Sequence, residues 1–144
     1  MEEIGINFFF EEIEEPVLDY KKIKRWLSLL INEHSFTLIE VNYILCSDEY
    51  LLGVNREYLD HDYYTDIITF DNSEEEEKIE GDIFVSMDRV IDNSKELETN
   101  QLDETIRVLA HGLLHLCGFK DKTEEDASEM RNQEDKAIEL YHNS

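Results

Sequence analysis

Between Ile106 and Cys117 the chain is almost wholly apolar, yet it carries two histidines, His111 and His115, four residues apart. Ile106, Val108, Leu109, Leu113, Leu114 and Leu116 recur at helical intervals, so the stretch reads as a buried helix from about Leu102 to Cys117. Imidazoles in so apolar a setting need partners for their ring nitrogens. At about 100° and roughly 1.5 Å of rise per residue, the two rings share one face, one turn apart. One cation can then bind a nitrogen from each, and two histidines are the first requirement of a three-ligand zinc site. Gly118 stands where a helix can end in the left-handed conformation, after which the chain can turn back and offer Asp121 as third ligand. The expected metal set is His111, His115 and Asp121, holding one Zn2+ per chain. Three protein ligands leave a position for water, the arrangement of catalytic rather than structural zinc.

The rest of the chain supplies strands and further helices. Ile4, Ile6, Phe8 and Phe10 alternate, so Ile4 to Phe10 reads as a strand. Pro16 suits the first turn of a helix whose apolar positions, Tyr20, Ile23, Trp26, Leu27, Leu30 and Ile31, close near Asn32. Leu38 to Cys46 reads as a second strand. Ser47 is the expected N-cap of a helix ending near Leu59, with Asp48 and Glu49 complementing its dipole. Asp60 to Asp66 is a loop, Ile67 to Phe70 a short strand, Asn72 to Glu77 an acidic loop, and Asp82 to Met87 a fourth strand. Asp88 opens a helix through Leu97. Thr123 with Asp126 resembles a capping box that starts a last helix through Tyr141. Early alternation and late helices predict one α+β domain over residues 1–144. It should have a single mixed sheet of about four strands, packed with five or so helices that cover mainly one face. Strand pairing is not readable from this pattern.

Charge narrows the function classes. Against 13 Lys and Arg stand 36 Asp and Glu, a formal net charge of -23. That excludes a broad basic face for coating nucleic acid or an anionic membrane, but leaves room for a local or metal-centred site. The densest basic cluster, Lys21, Lys22, Lys24 and Arg25, reads as the solvated face of the first helix. Two cysteines, Cys46 and Cys117, are too few for a disulfide framework and read as buried thiols in a reducing compartment. The start Met1-Glu2-Glu3 has no signal-peptide character, and no apolar run has membrane-spanning length, so a cytoplasmic, non-membrane protein is expected.

Zinc peptidases of the H-E-x-x-H type carry a glutamate directly after the first histidine as general base. Here that position is Gly112. A metal can still acidify bound water and stabilise an oxyanion, so the site suits a substrate bringing its own charge, such as a phosphodiester.

The run His111-Gly112-Leu113-Leu114-His115-Leu116-Cys117-Gly118-Phe119-Lys120-Asp121 resembles the signature H-G-x-L-H-L-x-G-x-x-H of the YbeY endoribonucleases, except at its last position. Asn55-Arg56-Glu57-Tyr58 and Thr65-Asp66-Ile67-Ile68-Thr69-Phe70 are similar to that family's L-N-x-x-Y and T-D-V-L-S-F segments. Glu80-Gly81-Asp82-Ile83 is similar to its L-G-D-I. The resemblance implies a zincin-like fold, a zinc ion, and hydrolytic cleavage of single-stranded RNA in 16S rRNA 3′-end maturation and ribosome quality control. It implies ribosomal RNA and ribosomal particles as partners, and the acidic exterior suits docking of basic ribosomal proteins. Two departures stand out. Asp121 replaces the third histidine, which keeps a legitimate ligand but makes the metal a weaker Lewis acid. Leu59 stands where the family has an arginine, leaving Arg56, one helical turn earlier, as the candidate guanidinium for the substrate. Asp66 is the candidate acceptor that orients a ligand or water. The expected catalytic residues are thus His111, His115, Arg56 and Asp66. His34, His61 and His142 need no function, and Lys120 and Lys122 read as loop lysines beside the third ligand. Two alternatives are a non-catalytic zinc-binding ribosome assembly factor and, more remotely, a zinc peptidase.

Overall fold

The computed structural model describes residues 5–144, so the expected start of the first strand at Ile4 and the Met1-Glu2-Glu3 segment lie outside the described residues. Along the chain run β1 (Ile6–Glu11), α1 (Tyr20–Glu33), β2 (Thr37–Cys46), α2 (Asp48–Leu59), β3 (Ile67–Asp71), β4 (Lys78–Ser86), α3 (Met87–Glu96), α4 (Gln101–Leu116) and α5 (Glu124–His142). This is the α+β architecture expected: one mixed four-stranded sheet and five helices.

The sheet order is β1-β2-β4-β3. β1, β2 and β4 are parallel, while β3 is antiparallel to β4, pairing Ile67 with Val85 and Asp71 with Gly81. The long connection through α1 allows β1 and β2 to run parallel, whereas the short acidic turn 72–77 forces β3 and β4 into a hairpin. β3 therefore sits at the edge of the sheet.

Local chemistry sets most helix starts. Ser47 Oγ accepts the Tyr50 N–H (3.0 Å), Asn100 Oδ1 accepts the Leu102 N–H (2.8 Å), and Thr123 Oγ1 accepts the Asp126 N–H (3.0 Å). Among the boundaries that differ from expectation, three have a clear local cause. Pro16 precedes α1 rather than opening it. The cap is Asp19, whose carboxylate takes the Lys22 N–H, while the Pro16 carbonyl accepts the Tyr20 hydroxyl at 2.7 Å. β4 starts at Lys78, four residues early, because Lys78 to Gly81 find partners along β2 from Thr37 to Val41. It ends at Ser86, whose hydroxyl caps α3 by accepting the Arg89 N–H, so Met87 is already helical.

One main core lies between the sheet and α1, α3, α4 and α5. Val41, Tyr43 and Leu45 of β2, with Ile79, Ile83 and Val85 of β4, meet Trp26, Leu27, Ile106, Leu109 and Leu113. The opposite face carries a smaller cluster of Cys46, Leu51, Val54 and Ile68, covered by α2. Coverage mainly of one face follows, with α4 as the central layer. Two polar bonds cross the core: Tyr43 donates its hydroxyl to the Leu109 carbonyl, and the Trp26 indole donates to the Ala137 carbonyl, both at 2.8 Å. No helix among the described residues is long and apolar enough to cross a membrane.

Gly112 shows why α4 can lie flat on the β3–β4 hairpin. A Cβ there would sit 2.8 Å from Ile83 Cγ2 and 3.0 Å from Ile67 Cδ1. The position beside His111 is therefore filled by the sheet, and any side chain there would push the helix away.

Candidate metal centre

α4 presents His111 and His115 on one side, and Cys117 closes it. Gly118 then takes φ +98°, a left-handed conformation suited to glycine, and the Phe119 N–H bonds back to the Leu114 carbonyl at 3.0 Å. This reversal carries Asp121 back over the two rings. Its Oδ2 lies 3.2 Å from His111 Nε2 and 3.6 Å from His115 Nε2. One ligand atom from each of the three residues falls within 4.8 Å of the others.

The far nitrogens explain why both Nε2 atoms are free to point inward. His115 Nδ1 faces the Phe119 carbonyl at 3.0 Å, which can only accept, so Nδ1 carries the proton. His111 Nδ1 faces Glu134 Oε2 at 2.5 Å and donates to that carboxylate. Each ring thus keeps its Nε2 on the side of Asp121, where it can give a lone pair to a bound metal. In a tetrahedral site with bonds of about 2.0–2.1 Å, neighbouring ligand atoms lie about 3.3 Å apart. The two spacings to Asp121 are close to that edge, and two imidazoles with a carboxylate are a donor set suited to a divalent metal ion such as zinc.

Glu134 is the residue that sequence reasoning missed. Its side chain is buried, and its other oxygen takes the Arg107 guanidinium at 2.8 Å, which also pairs with Asp135 at 2.7 Å. Burial works to raise the Glu134 carboxyl, but the hydrogen bonds from His111 and Arg107 outweigh it and hold it below the ordinary range. Burial likewise works against a charged His111, yet Glu134, then Asp121 and Asp66, outweigh it and raise that imidazole. A signal was available: Met130, Glu134, Ala137 and Tyr141 form the buried stripe of α5, and a glutamate in an apolar stripe needs a partner. Glu134→Ala should weaken zinc binding about 10–100-fold in a competitive chelator titration, as loss of a ligand's hydrogen-bond anchor does. Glu134→Gln, which still accepts from Nδ1, should lose less. Unchanged affinity in Glu134→Ala would show that the His111 ring is held by other contacts.

The other candidates are distributed as follows. Asp66 lies in the loop before β3, its carbonyl bonded to the Ser86 N–H at 2.9 Å, and its charge reaches His111. Arg56 lies on α2, on the other face of the sheet, and its guanidinium pairs with Asp62 with both side chains largely exposed. Lys120 and Lys122 are exposed beside Asp121. His34 packs edge-on against Phe119, His142 pairs with Asp103 at 2.7 Å, and His61 stacks on Tyr63. Cys117 packs against the main core, where burial pushes its thiol up to about 12, and it is not among the three residues whose ligand atoms converge.

A cleft of about 300 Å³ borders the centre, lined by Ile67, Thr69, Asp71, His115 and Leu116 along edge strand β3. A larger cavity of about 630 Å³ lies between residues 13–18, α3 and the start of α4, and none of the three ligand candidates lines it. The smaller cleft is the one with chemistry.

Residues 10–142 match the family model described as Endoribonuclease YbeY. The chain is 52% identical over 140 residues to the Endoribonuclease YbeY of Cytophaga hutchinsonii, spanning 97% of this chain and 98% of that one. It is 47% identical over 137 residues to that of Flavobacterium johnsoniae, spanning 95% and 97%. Among solved structures it is similar to the solution structure of a Thermotoga maritima protein. The TM-score is 0.67 at 25% identity, covering 93% of this chain and 88% of the other.

Proposed function

Because the chain belongs to the Endoribonuclease YbeY family, we propose that it is a zinc-dependent endoribonuclease. It cleaves single-stranded RNA by phosphodiester hydrolysis, in 16S rRNA 3′-end maturation and ribosome quality control. The observation that carries the zinc reading is the convergence of His111 Nε2, His115 Nε2 and Asp121 Oδ2, with both Nδ1 atoms tied off behind them.

A zinc ion held by those three atoms supplies positive charge for a phosphate oxygen and a lowered pKa for bound water. The chain's own residues do the rest. Glu134 and the Phe119 carbonyl hold the two rings in the tautomer that turns Nε2 inward. Asp66, whose charge reaches His111, orients water as a hydrogen-bond acceptor. Arg56, expected from the sequence to meet the substrate, lies on α2 on the sheet face away from α4 and pairs there with Asp62, so no step is assigned to it. Asp121 in place of a third imidazole adds negative charge and moderates the metal. A peptidase is disfavoured sterically as well as chemically, since Ile83 and Ile67 occupy the space a base at position 112 would need.

The net charge of -23 points to the physiological partner. Naked RNA meets a repulsive surface, whereas ribosomal particles carry basic proteins that dock on it and present RNA to the cleft. The protein acts in the cytoplasm on this reading. The test compares zinc-loaded protein on labelled single-stranded RNA and on ribosomal particles at physiological salt. Cleavage should stop on chelation, and particles should be the better substrate. Equal rates on both would overturn the charge argument. Stoichiometric zinc with no cleavage of either would favour a non-catalytic assembly factor. Asp121→Ala should lose zinc affinity; if it keeps all of it, Asp121 is not the third ligand.

A further inference from the structure

Strand β3 has two faces, and alternation assigns its side chains to them. Ile67, Thr69 and Asp71 stand opposite Val85, Ile83 and Gly81 of β4, on the face that α4 covers. Ile68 and Phe70 point the other way, into the cluster under α2. Two close approaches fix how α4 lies on its face. Gly112 meets Ile67 and Ile83, and one turn later Leu116 meets Gly81. The helix therefore runs beside β3 from the Ile67 end toward the Asp71 end, which brings His115 level with Thr69 and Asp71. Ile67, Thr69, Asp71, His115 and Leu116 together line the cleft of about 300 Å³. At the small end of ligand pockets, it suits one sugar rather than a whole strand.

The cleft is apolar at Ile67 and Leu116 and polar at Thr69 and Asp71, and both polar groups have capacity to spare. Thr65 turns its hydroxyl to the Ile67 carbonyl at 3.4 Å, whereas the hydroxyl of half-buried Thr69 has no hydrogen-bond partner among the described residues. Asp71 Oδ1 accepts the Ser73 N–H at 3.0 Å and starts the turn into 72–77. Asp71 Oδ2 has no partner among the described residues. An ionised carboxylate only accepts hydrogen bonds, and it repels phosphate. The group that Asp71 faces in a bound strand is therefore an uncharged donor.

In RNA the 2′-hydroxyl stands on the carbon next to the one that carries the 3′-phosphate. With that phosphate at the metal, the hydroxyl lies beside it, and it both donates and accepts. We propose that Thr69 and Asp71 are specificity-determining residues that read this hydroxyl. Thr69 Oγ1 donates to it, and it donates to Asp71 Oδ2, so that edge strand β3 selects ribose over deoxyribose next to the metal centre. Ile67 and Leu116 supply the apolar sides against which the sugar lies. The inference rests on the endoribonuclease reading above.

The test uses full-length zinc-loaded protein and two labelled single strands of about twelve nucleotides, one of ribose and one of 2′-deoxyribose, with the same bases. Binding is read by fluorescence anisotropy before cleavage sets in. Wild type should bind the ribose strand about tenfold more tightly or better, since a site built to pair a hydroxyl loses that pairing on the deoxy strand. Thr69→Val, close in shape but without the hydroxyl, should lose about threefold to tenfold on the ribose strand and nothing on the deoxy strand. Its zinc content and thermal midpoint should match wild type. Thr69→Ser, which keeps the hydroxyl, should keep the preference. Asp71→Asn keeps the turn at Ser73 and removes a negative charge, so both strands should bind more tightly, the deoxy strand more so, and the preference should narrow. Thr69→Val protein that keeps the wild-type preference, or that loses equally on both strands, overturns the assignment. So does wild type that cleaves RNA yet binds both strands alike. Wild-type protein that neither binds nor cleaves the ribose strand overturns the endoribonuclease reading itself.

Discussion

His115→Ala is expected to purify with almost no zinc and to lose RNA cleavage, while remaining folded. Removing an outer anchor of a metal ligand costs about 10–100-fold in affinity or activity, and removing a ligand itself must exceed that. Two ligands, His111 Nε2 and Asp121 Oδ2, would remain at 3.2 Å, a pair with no third protein atom to close the tetrahedral face. The fold should survive because α4 is buried through Ile106, Leu109, Leu113 and Leu114, not through its histidine face. The measurements are zinc per chain, cleavage of labelled RNA, and the thermal midpoint of the variant against metal-free wild type. Cleavage that persists in zinc-free His115→Ala would mean a contaminating nuclease or a different site. His111→Ala should lose zinc equally and should also be less stable, because it leaves buried Glu134 with one partner fewer.

The second large effect is on stability. Trp26→Ala should destabilise the metal-free protein by about 3–5 kcal/mol, the usual cost of deleting a buried tryptophan side chain. Trp26 is fully buried, meets Tyr141 edge-on at 5.3 Å, and donates its indole N–H to the Ala137 carbonyl. It thus fastens α1 to α5. Ala137 lies about one turn beyond Glu134, so the same contact helps hold the carboxylate that steadies His111. Trp26→Phe, retaining an aromatic ring, should lose much less. Urea unfolding of all three proteins measures the difference, and a loss below about 1 kcal/mol for Trp26→Ala would show that the pocket collapses around the smaller side chain. The folded fraction of Trp26→Ala should also bind zinc more weakly than wild type in a chelator titration, since α5 is less firmly seated.

Much of the centre was legible before any coordinates. His111 and His115 share a face because four residues make about one helical turn, and Gly118 can reverse the chain because it alone lacks a Cβ. The caps at Ser47 and Thr123 were readable because each cap and the backbone N–H that donates to it lie within three residues. Pro16 misled for an equally local reason: Asp19 offered a better cap three residues later. The start of β4 was misplaced because Lys78 to Gly81 lack a strand pattern of their own and become strand by pairing with β2.

Residue order alone determined the acidic surface, the two-histidine helix and its return loop, because these depend on composition and on partners a turn or less apart. Only the tertiary structure decided that β3 lies at the edge, that Gly112 is the contact point of helix and sheet, and that Glu134, 23 residues from His111, holds its ring. Those depend on which distant surfaces meet, and that choice is made by burial of the whole core rather than by any local run of residues.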